Sequence, residues 1–297
     1  MIKIDLITGF LGAGKTTFLN KYARYLIDMG LNICILENDF GAINVDMMLL
    51  DKLNCDKEMV SGAYDYDCHF RRFKTKLISM AMRGYDRVIV EPSGLFQTDE
   101  FFDALSEEPL DSYYEIGNIF CLYDINTKDL SVEAKSYLAS EVSVAGKVIV
   151  SKKDDTNKKL DLDYINNVLI EFNSNRLLTD NDIIYNNNLN IKDILNVGYH
   201  EATTKKLFVE DKTFDSIYYL DKPISLKELE AKANIVFNNK EYGDIKRIKG
   251  FIKENNIWYR INITKEQKDI SEINSGQNVF IVIGENLNKD KLNEIFE

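Results

Sequence analysis

The residues best suited to chemistry lie near the start of the chain, where positions 9–17 read G-F-L-G-A-G-K-T-T. They fit the pattern G-x-x-x-x-G-K-[ST], whose glycines let backbone N–H groups turn toward phosphate oxygens at the start of a helix. The Lys15 ammonium group can lie between the β- and γ-phosphates, and the Thr16 hydroxyl is placed to bind Mg²⁺. The sequence therefore predicts a nucleoside triphosphate site with Lys15 as a catalytic residue. The predicted nucleotide-binding residues of this loop are Gly9, Gly12, Ala13, Gly14, Lys15, Thr16 and Thr17.

A carboxylate ends an apolar run later in the chain, where residues 87–94 read R-V-I-V-E-P-S-G. The run predicts a buried strand that ends at Glu91, where P-loop proteins carry an acidic residue that holds the Mg²⁺ shell. We therefore predict that Glu91 is catalytic and binds Mg²⁺ together with Thr16. We also expect the backbone N–H of Gly94 to approach the γ-phosphate. The alternative is a strand-terminal Glu91 that faces solvent.

A third segment, S-K-K-D at residues 151–154, follows the apolar run at 147–150. It resembles the [NST]-K-x-D element that selects guanine in GTP-binding proteins. The Asp154 carboxylate can accept hydrogen bonds from N1–H and the exocyclic amine of guanine, and the Lys152 stem can cover the ring. Adenine offers no such pair of donors on that edge. We therefore predict GTP as the nucleotide, with a solvated turn as the alternative reading of this segment.

These segments require a parallel sheet to position them. Strand-like runs alternate with helix-like segments through the first two-thirds of the chain, which is typical of βαβ units. The strands are predicted at residues 2–8, 32–37, 87–91, 119–123 and 147–151, and the helices at 16–29, 70–83, 99–105 and 132–140.

A polar, Asn-rich connector at 173–200 precedes a change of pattern. The order strand, helix, three strands and helix then predicts a small α+β domain. We therefore expect an α/β fold, with a doubly wound, mainly parallel sheet in a P-loop domain at 1–200 and a smaller α+β domain at 201–297.

Composition restricts the class of partner. Of 297 residues, 45% are hydrophobic and 29% are charged, as in ordinary globular proteins. The net charge of −11 is spread along the chain, which argues against a nucleic-acid partner, because duplex binding needs clustered lysine and arginine. Charges interrupt every apolar run before it reaches the roughly 18 residues of a membrane helix. The four cysteines form no C-x-x-C pair. We expect reduced thiols, a cytoplasmic location and no membrane partner.

Together these segments are similar to the CobW-type GTPases of the CobW/HypB/UreG family. The loop matches that family's G-F-L-G-[AS]-G-K-T-T residue for residue, and E-P-S-G resembles its E-[TP]-[TS]-G element. Residues 37–41, E-N-D-F-G, resemble a switch-like E-N-E-F-G stretch that has an aspartate downstream, here Asp46. Residues 243–251 and 280–284, with 292–296, resemble the C-terminal domain of the family.

The resemblance implies a slow, regulatory GTPase that hydrolyses GTP to GDP and phosphate, with GTP and GDP as its nucleotide partners. In such a protein Asp39 and Glu91 would organise Mg²⁺ and the attacking water. The implied role is insertion of a metal or metallocofactor into a client metalloprotein or cofactor-dependent enzyme.

One departure from the family concerns its metal ligands. Members carry G-C-x-C-C after the third strand, where the thiolates bind zinc or a similar soft ion. Counted from Gly62, the three cysteine positions are Ala63, Asp65 and Tyr66 in this chain. We therefore do not expect the soft-metal site of the family.

Other side chains near this stretch could still bind a second divalent metal. They are Glu37, Asp67, Cys68 and His69. Carboxylates, an imidazole and one thiolate suit a harder or borderline ion. The alternative is that Tyr64, Tyr66 and Phe70 pack, while Asp67 caps the following helix.

Three functional classes remain open. The first is a GTPase for metal or metallocofactor insertion, and the second is a GTP-dependent switch or protein-remodelling factor without a transition-metal site. The third is a small-molecule kinase with the same loop. A homodimer is also left open.

Overall fold

The structure is a computed structural model. It describes residues 1–10, 12–38, 50, 53–60, 66–92, 98–124, 130–151, 158–186, 189–205, 215–265, 267–273, 276 and 278–296, with the backbone alone at 66, 67, 158 and 215. Residue contacts divide the chain into two compact units, Met1–Phe208 and Val209–Glu297. The domain limits predicted from the sequence, 1–200 and 201–297, stay a prediction.

The first unit contains a seven-stranded sheet within the described ranges. Its strands are β1 (Ile2–Gly9), β2 (Ile33–Asn38), β3 (Asp56–Val60), β4 (Arg87–Pro92), β5 (Tyr114–Asp124), β6 (Lys147–Ser151) and β7 (Ile183–Tyr185). The order across the sheet is β3-β2-β4-β1-β5-β6-β7, and each neighbouring pair is parallel. This arrangement confirms the predicted α/β fold with a mainly parallel sheet.

Helices cover both faces of this sheet. They are α1 (Lys15–Asp28), α2 (Tyr66–Ala81), α3 (Thr98–Ser106), α4 (Leu110–Tyr113), α5 (Val132–Val144) and α6 (Lys158–Glu171). Ile7 of β1 shares a buried cluster with α1, whereas Ile4 and Leu6 share another with α2, α3, α5 and α6. Because both faces are covered, the central strands read as nearly continuous apolar runs, which made them visible in the sequence.

Four of the strands and helices named above escaped the sequence prediction, and one of them is the four-residue helix α4. The edge strand β3 begins with D-K-E and is half exposed, so it lacks an apolar run. Strand β7 has only three residues. Helix α6 carries a buried Asp161 among its apolar positions, which weakens its helical pattern.

The second unit contains a five-stranded antiparallel sheet in the part of the chain described here, in the order β11-β10-β9-β12-β8. Its elements are β8 (Asp215–Leu220), α7 (Leu226–Asn238), β9 (Asp244–Glu254), β10 (Ile257–Ile263), β11 (Lys268–Ile273), β12 (Val279–Glu285) and α8 (Lys289–Phe296). Leu229 of α7 and Leu292 of α8 lie in one buried cluster with Ile248 and Phe280. The predicted α+β pattern is present, with β11 as an additional strand that the polar sequence K-D-I-S-E-I concealed.

Within the described residues, every helix is too short or too polar to span a lipid bilayer.

Candidate phosphate-binding site

The glycine-rich loop begins at the carboxyl end of the central strand β1. Gly9 has φ 135°, and a Cβ atom there would lie 2.2 Å from the Leu122 carbonyl oxygen of β5. Only glycine fits this position, because it needs both a left-handed backbone and close contact with the neighbouring strand. Gly14, with φ 92°, is the N-cap of α1, so the loop leads directly into the positive end of a helix.

The Lys15 side chain folds back over the loop. Its Nζ donates to the Gly9 carbonyl at 2.7 Å and to the Phe10 carbonyl at 3.5 Å, and the residue is only 9% exposed. These acceptors belong to the loop that the sequence predicts to surround phosphates. The ammonium group is therefore held at the predicted phosphate position by carbonyls that stronger anionic acceptors could replace.

Thr16 and Glu91 meet at the same edge of the sheet. The Thr16 hydroxyl donates to Glu91 Oε1 at 2.9 Å, although the two residues are 75 positions apart in sequence. Glu91 is 4% exposed, so the alternative of a solvent-facing strand end is not what the structure shows. A hydroxyl and a carboxylate are oxygen ligands of the kind that Mg²⁺ prefers, so this pair fits that ion.

Glu37 lies beside Glu91 and not in a separate cluster. The two glutamates are register partners on the parallel strands β2 and β4, and Glu37 is 3% exposed. Register partners of neighbouring strands point to the same face of a sheet. Glu37 thus belongs to the neighbourhood of the phosphate loop.

His69 is committed to a structural contact. It is completely buried in α2, and its Nε2 lies 2.7 Å from Asn38 Oδ1 at the end of β2. Cys68, next to it, is partly exposed. Among the residues the structure describes, no group of three or more His, Cys, Asp and Glu side chains is arranged to hold a metal. The second metal site proposed from the sequence gains no support from these residues.

The alternative for this stretch, in which its aromatic side chains pack, is seen for Phe70. Phe70 packs against the main core cluster, and Lys74 Nζ lies 4.7 Å from the centre of its ring. Helix α2 begins at Tyr66, one residue before Asp67, whose side chain lies outside the described residues.

Several predicted site residues also lie outside the described ranges. They are Asp39, Gly94, Lys152 and Asp154, together with Ala63 and Asp65 of the missing cysteine motif. Gly12, Ala13 and Thr17 are described and lie in the loop and the first turn of α1.

One charged residue at this site escaped the sequence prediction. Glu141 of α5 is completely buried, and its Oε1 accepts a hydrogen bond of 2.6 Å from the Thr8 hydroxyl, one residue before Gly9. Glu141 lies three residues after Leu138 and seven after Ala134, on the apolar face of its helix. A charge at an apolar-face position was the signal, but the predicted helix ended at residue 140.

A parallel sheet whose central strand ends in this glycine, lysine and threonine loop defines a P-loop nucleotide-binding protein. The sequence model of the nucleotide-binding domain of CobW/HypB/UreG proteins matches residues 3–179. The chain therefore belongs to the CobW/HypB/UreG family.

Curated relatives cover part of the chain. The zinc chaperone YjiA of Escherichia coli (strain K12) is 28% identical over 165 residues, which are 52% of this chain and 50% of that protein. The zinc chaperone YeiR of the same strain is 25% identical over 156 residues, 52% of this chain and 47% of YeiR. The chain thus spans about half the length of these two relatives.

Solved structures similar to this chain include a YjiA protein and a HypB protein. A zinc-bound YjiA GTPase from E. coli is 18% identical, with 99% of this chain and 98% of that chain covered and a TM-score of 0.42. The hydrogenase maturation factor HypB from Archaeoglobus fulgidus is 11% identical, with 66% and 85% covered and a TM-score of 0.41.

Proposed function

We propose that this protein binds GTP with Mg²⁺ and hydrolyses it to GDP and phosphate. The observation that carries the proposal is the 2.9 Å hydrogen bond from the Thr16 hydroxyl to Glu91 Oε1. It joins the first turn after the phosphate loop to a buried carboxylate on the adjacent strand, which is the pairing that a Mg²⁺–nucleotide site needs. Membership of the CobW/HypB/UreG family over residues 3–179 supports a nucleotide ligand.

The reaction is attack of water on the γ-phosphorus with cleavage of its bond to the β–γ bridging oxygen. Mg²⁺, when held by Thr16 and Glu91, would neutralise charge on the β- and γ-phosphate oxygens. Lys15 would exchange its contacts with the Gly9 and Phe10 carbonyls for phosphate oxygens. Hydrolysis then depends on positioning and charge stabilisation, without a covalent protein intermediate.

Four residues outside the described ranges complete the proposal. Asp39 organises the attacking water together with Glu91, and the Gly94 amide approaches the γ-phosphate. Asp154 accepts from guanine while the Lys152 stem covers the ring. The loops that carry Asp39 and Gly94 would contact the γ-phosphate and would report the nucleotide state to a client.

Phosphate release with GTP and ATP tests the nucleotide assignment. We expect GTP to be preferred by the wild type and hydrolysis to fall by about 10²–10³-fold in Lys15→Ala, as when one transition-state donor is lost. Asp154→Asn should lose the preference for GTP and gain use of xanthosine triphosphate, because the amide can donate to the second carbonyl of xanthine. Equal use of ATP and GTP by the wild type would contradict the role of Asp154.

The cellular role that we propose is that of a regulatory or chaperone GTPase in metal or metallocofactor insertion into a client protein. Its support is the family and the two relatives described as zinc chaperones. The client, a homodimer and the cytoplasmic location stay predictions.

A GTP-dependent switch or remodelling factor without its own transition-metal site is the second candidate. The buried pair of His69 with Asn38 favours it, because that imidazole already has a structural partner. The replacement of the family cysteines by Ala63, Asp65 and Tyr66 favours it as well.

Titration with Zn²⁺ or Co²⁺ separates these two candidates. The nucleotide-free protein and the protein loaded with a non-hydrolysable GTP analogue should be compared. Binding tighter than about micromolar in either state would support metal handling by this chain. Weaker binding in both states would leave the GTP-dependent switch or remodelling factor as the remaining candidate.

A further inference from the structure

The proposed mechanism leaves the buried carboxylate of Glu141 unused. It lies on α5, behind the strand that enters the phosphate loop, and is completely buried. Its Oε1 accepts from the Thr8 hydroxyl at 2.6 Å, whereas its Oε2 has no hydrogen-bond partner among the described residues. A buried carboxylate with one unbonded oxygen is costly when ionised, so its presence beside an anion-binding loop requires an explanation.

Three elements bring polar or titratable groups toward Glu141. Strand β1 contributes the Thr8 hydroxyl and the Gly9 amide, α1 contributes the charge of Lys15, and β5 contributes the Cys121 thiol. Burial raises the pKa of Cys121 well above its usual value, so this thiol stays neutral. Lys15 is therefore the charged group that acts on Glu141 in the described part of the chain.

Burial also raises the pKa of Glu141 to about 7, against the opposing effects of the Thr8 hydrogen bond, the Lys15 charge and the Gly9 amide. Each of these three groups stabilises the ionised carboxylate. A triphosphate in the loop would bring negative charge to the same lysine. In a buried site that charge is poorly screened, so it must favour the protonated form of a nearby carboxyl group.

We propose that Glu141 is the internal counter-ion of Lys15 in the nucleotide-free protein and takes up one proton when the triphosphate binds. The inference rests on the proposed function, since it places the phosphates at Lys15. The proton comes from solvent and remains on the Glu141 carboxyl group, whose C=O can still accept from Thr8. No bond of the nucleotide changes in this step. Glu141 thus adjusts the charge of the site without touching the nucleotide.

Titration calorimetry with GTPγS and Mg²⁺ on the full chain tests this role. Measurements in two buffers of different ionisation enthalpy report the protons taken up at pH 6, 7 and 8. We expect the wild type to take up most of one proton at pH 8 and little at pH 6, in excess of the uptake by Glu141→Gln. The ratio of the wild-type Kd to the Glu141→Gln Kd should rise about tenfold from pH 6 to pH 8, because the ionised carboxylate must be neutralised before phosphates bind.

Thr8→Val provides a second variant with the charge retained. Loss of the hydroxyl donor should raise the pKa of Glu141 further, so the pH at which wild-type-like affinity begins to fall should move upward. A general weakening of the fold would not move this midpoint.

Two controls match the change in Glu141. Glu133→Gln alters a partly exposed glutamate of the same helix, and Asp161→Asn removes a fully buried carboxylate of α6 that is bonded to Tyr185. Both should show the wild-type proton uptake. Equal uptake by the wild type and Glu141→Gln would overturn the proposal for Glu141 alone. Absence of GTPγS binding by the wild type would instead overturn the proposed function.

Discussion

Two buried carboxylates lie at strand β1, Asp5 within the strand and Glu141 of α5 at its loop end, and they differ in how completely each is bonded. Toward the start of the strand, Asp5 Oδ2 accepts from the Tyr22 hydroxyl at 2.8 Å and from Arg87 Nη1 at 2.8 Å, and Oδ1 accepts from the Asn118 amide at 2.7 Å. At the loop end, Glu141 accepts from Thr8 and leaves one oxygen without a partner among the described residues.

The difference separates a structural cluster from a functional one. The Asn118 side chain extends the Asp5 cluster by donating to the Leu195 carbonyl at 2.9 Å and accepting from the Gly198 amide at 2.9 Å. A fully bonded buried network fixes the strands that it joins and has little to gain from a ligand. The incompletely bonded carboxylate can change its charge when the loop is filled.

Removal of Arg87 from the Asp5 cluster should have the largest effect on stability. Arg87→Met leaves the Asp5 carboxylate buried without its ion-pair partner, which should lower the free energy of unfolding by about 3–5 kcal/mol. Urea unfolding followed by circular dichroism measures it, since the single tryptophan, Trp258, lies in the second unit. The affinity of the folded protein for GTPγS should stay within about twofold of the wild type, because the loop end keeps its contacts.

The double variant Asp5→Asn/Arg87→Met distinguishes a lost ion pair from lost packing. With both charges removed, no buried charge remains unpaired, so part of the stability should return. A double variant less stable than Arg87→Met would contradict the interpretation of this cluster as an ion pair within a bonded network.

Glu141, at the loop end of β1, should make the stability of the protein depend on pH. Because the pKa of Glu141 is raised from 4.5 to about 7 by burial, the folded protein binds a proton that the unfolded chain releases between these values. The contribution of Glu141 to the free energy of unfolding is therefore complete below pH 4.5 and is lost as the pH rises through 7, a change of up to about 3 kcal/mol.

Glu141→Gln lacks this titration and should become more stable than the wild type as the pH rises from 5 to 8. Unfolding at several pH values, without nucleotide, gives the difference between the two proteins. Asp161→Asn is the control for loss of a buried carboxylate elsewhere. A difference that does not change with pH would show that Glu141 keeps an ordinary pKa.

The sequence revealed the parts of this site that follow from a local pattern. Lys15 and Thr16 are fixed by their place after a glycine-rich segment, and Glu91 by its place at the end of an apolar strand. The 2.9 Å contact between Thr16 and Glu91 joins the glycine-rich segment to the end of the apolar strand. It follows from the fold, because parallel strands bring their carboxyl ends to one edge of the sheet.

Contacts between distant segments carry no such pattern. The bond from Thr8 to Glu141 joins residues 133 apart, and nothing in either neighbourhood indicates the other. Asp5 reads as one polar residue within an apolar strand, and its partners Tyr22, Arg87 and Asn118 come from three other elements. Edge strands β3 and β11 were missed for a related reason, since pairing on one side and polar sequences leave no apolar run.

The smallest expected effect on stability is that of removing one hydroxyl group, that of Tyr22, from the Asp5 cluster. Tyr22→Phe removes the donor to Asp5 and an acceptor of Arg87 at 2.7 Å, while the ring can keep its edge contact with Phe120. We expect a loss of about 1–2 kcal/mol in the free energy of unfolding, because the remaining donors to Asp5 still hold the carboxylate. Tyr25→Phe, on the same helix and partly exposed, is the matched control and should change stability by less than about 0.5 kcal/mol. If the two variants were equally stable, the Asp5 cluster would not depend on complete bonding, and its contrast with the loop end would fail.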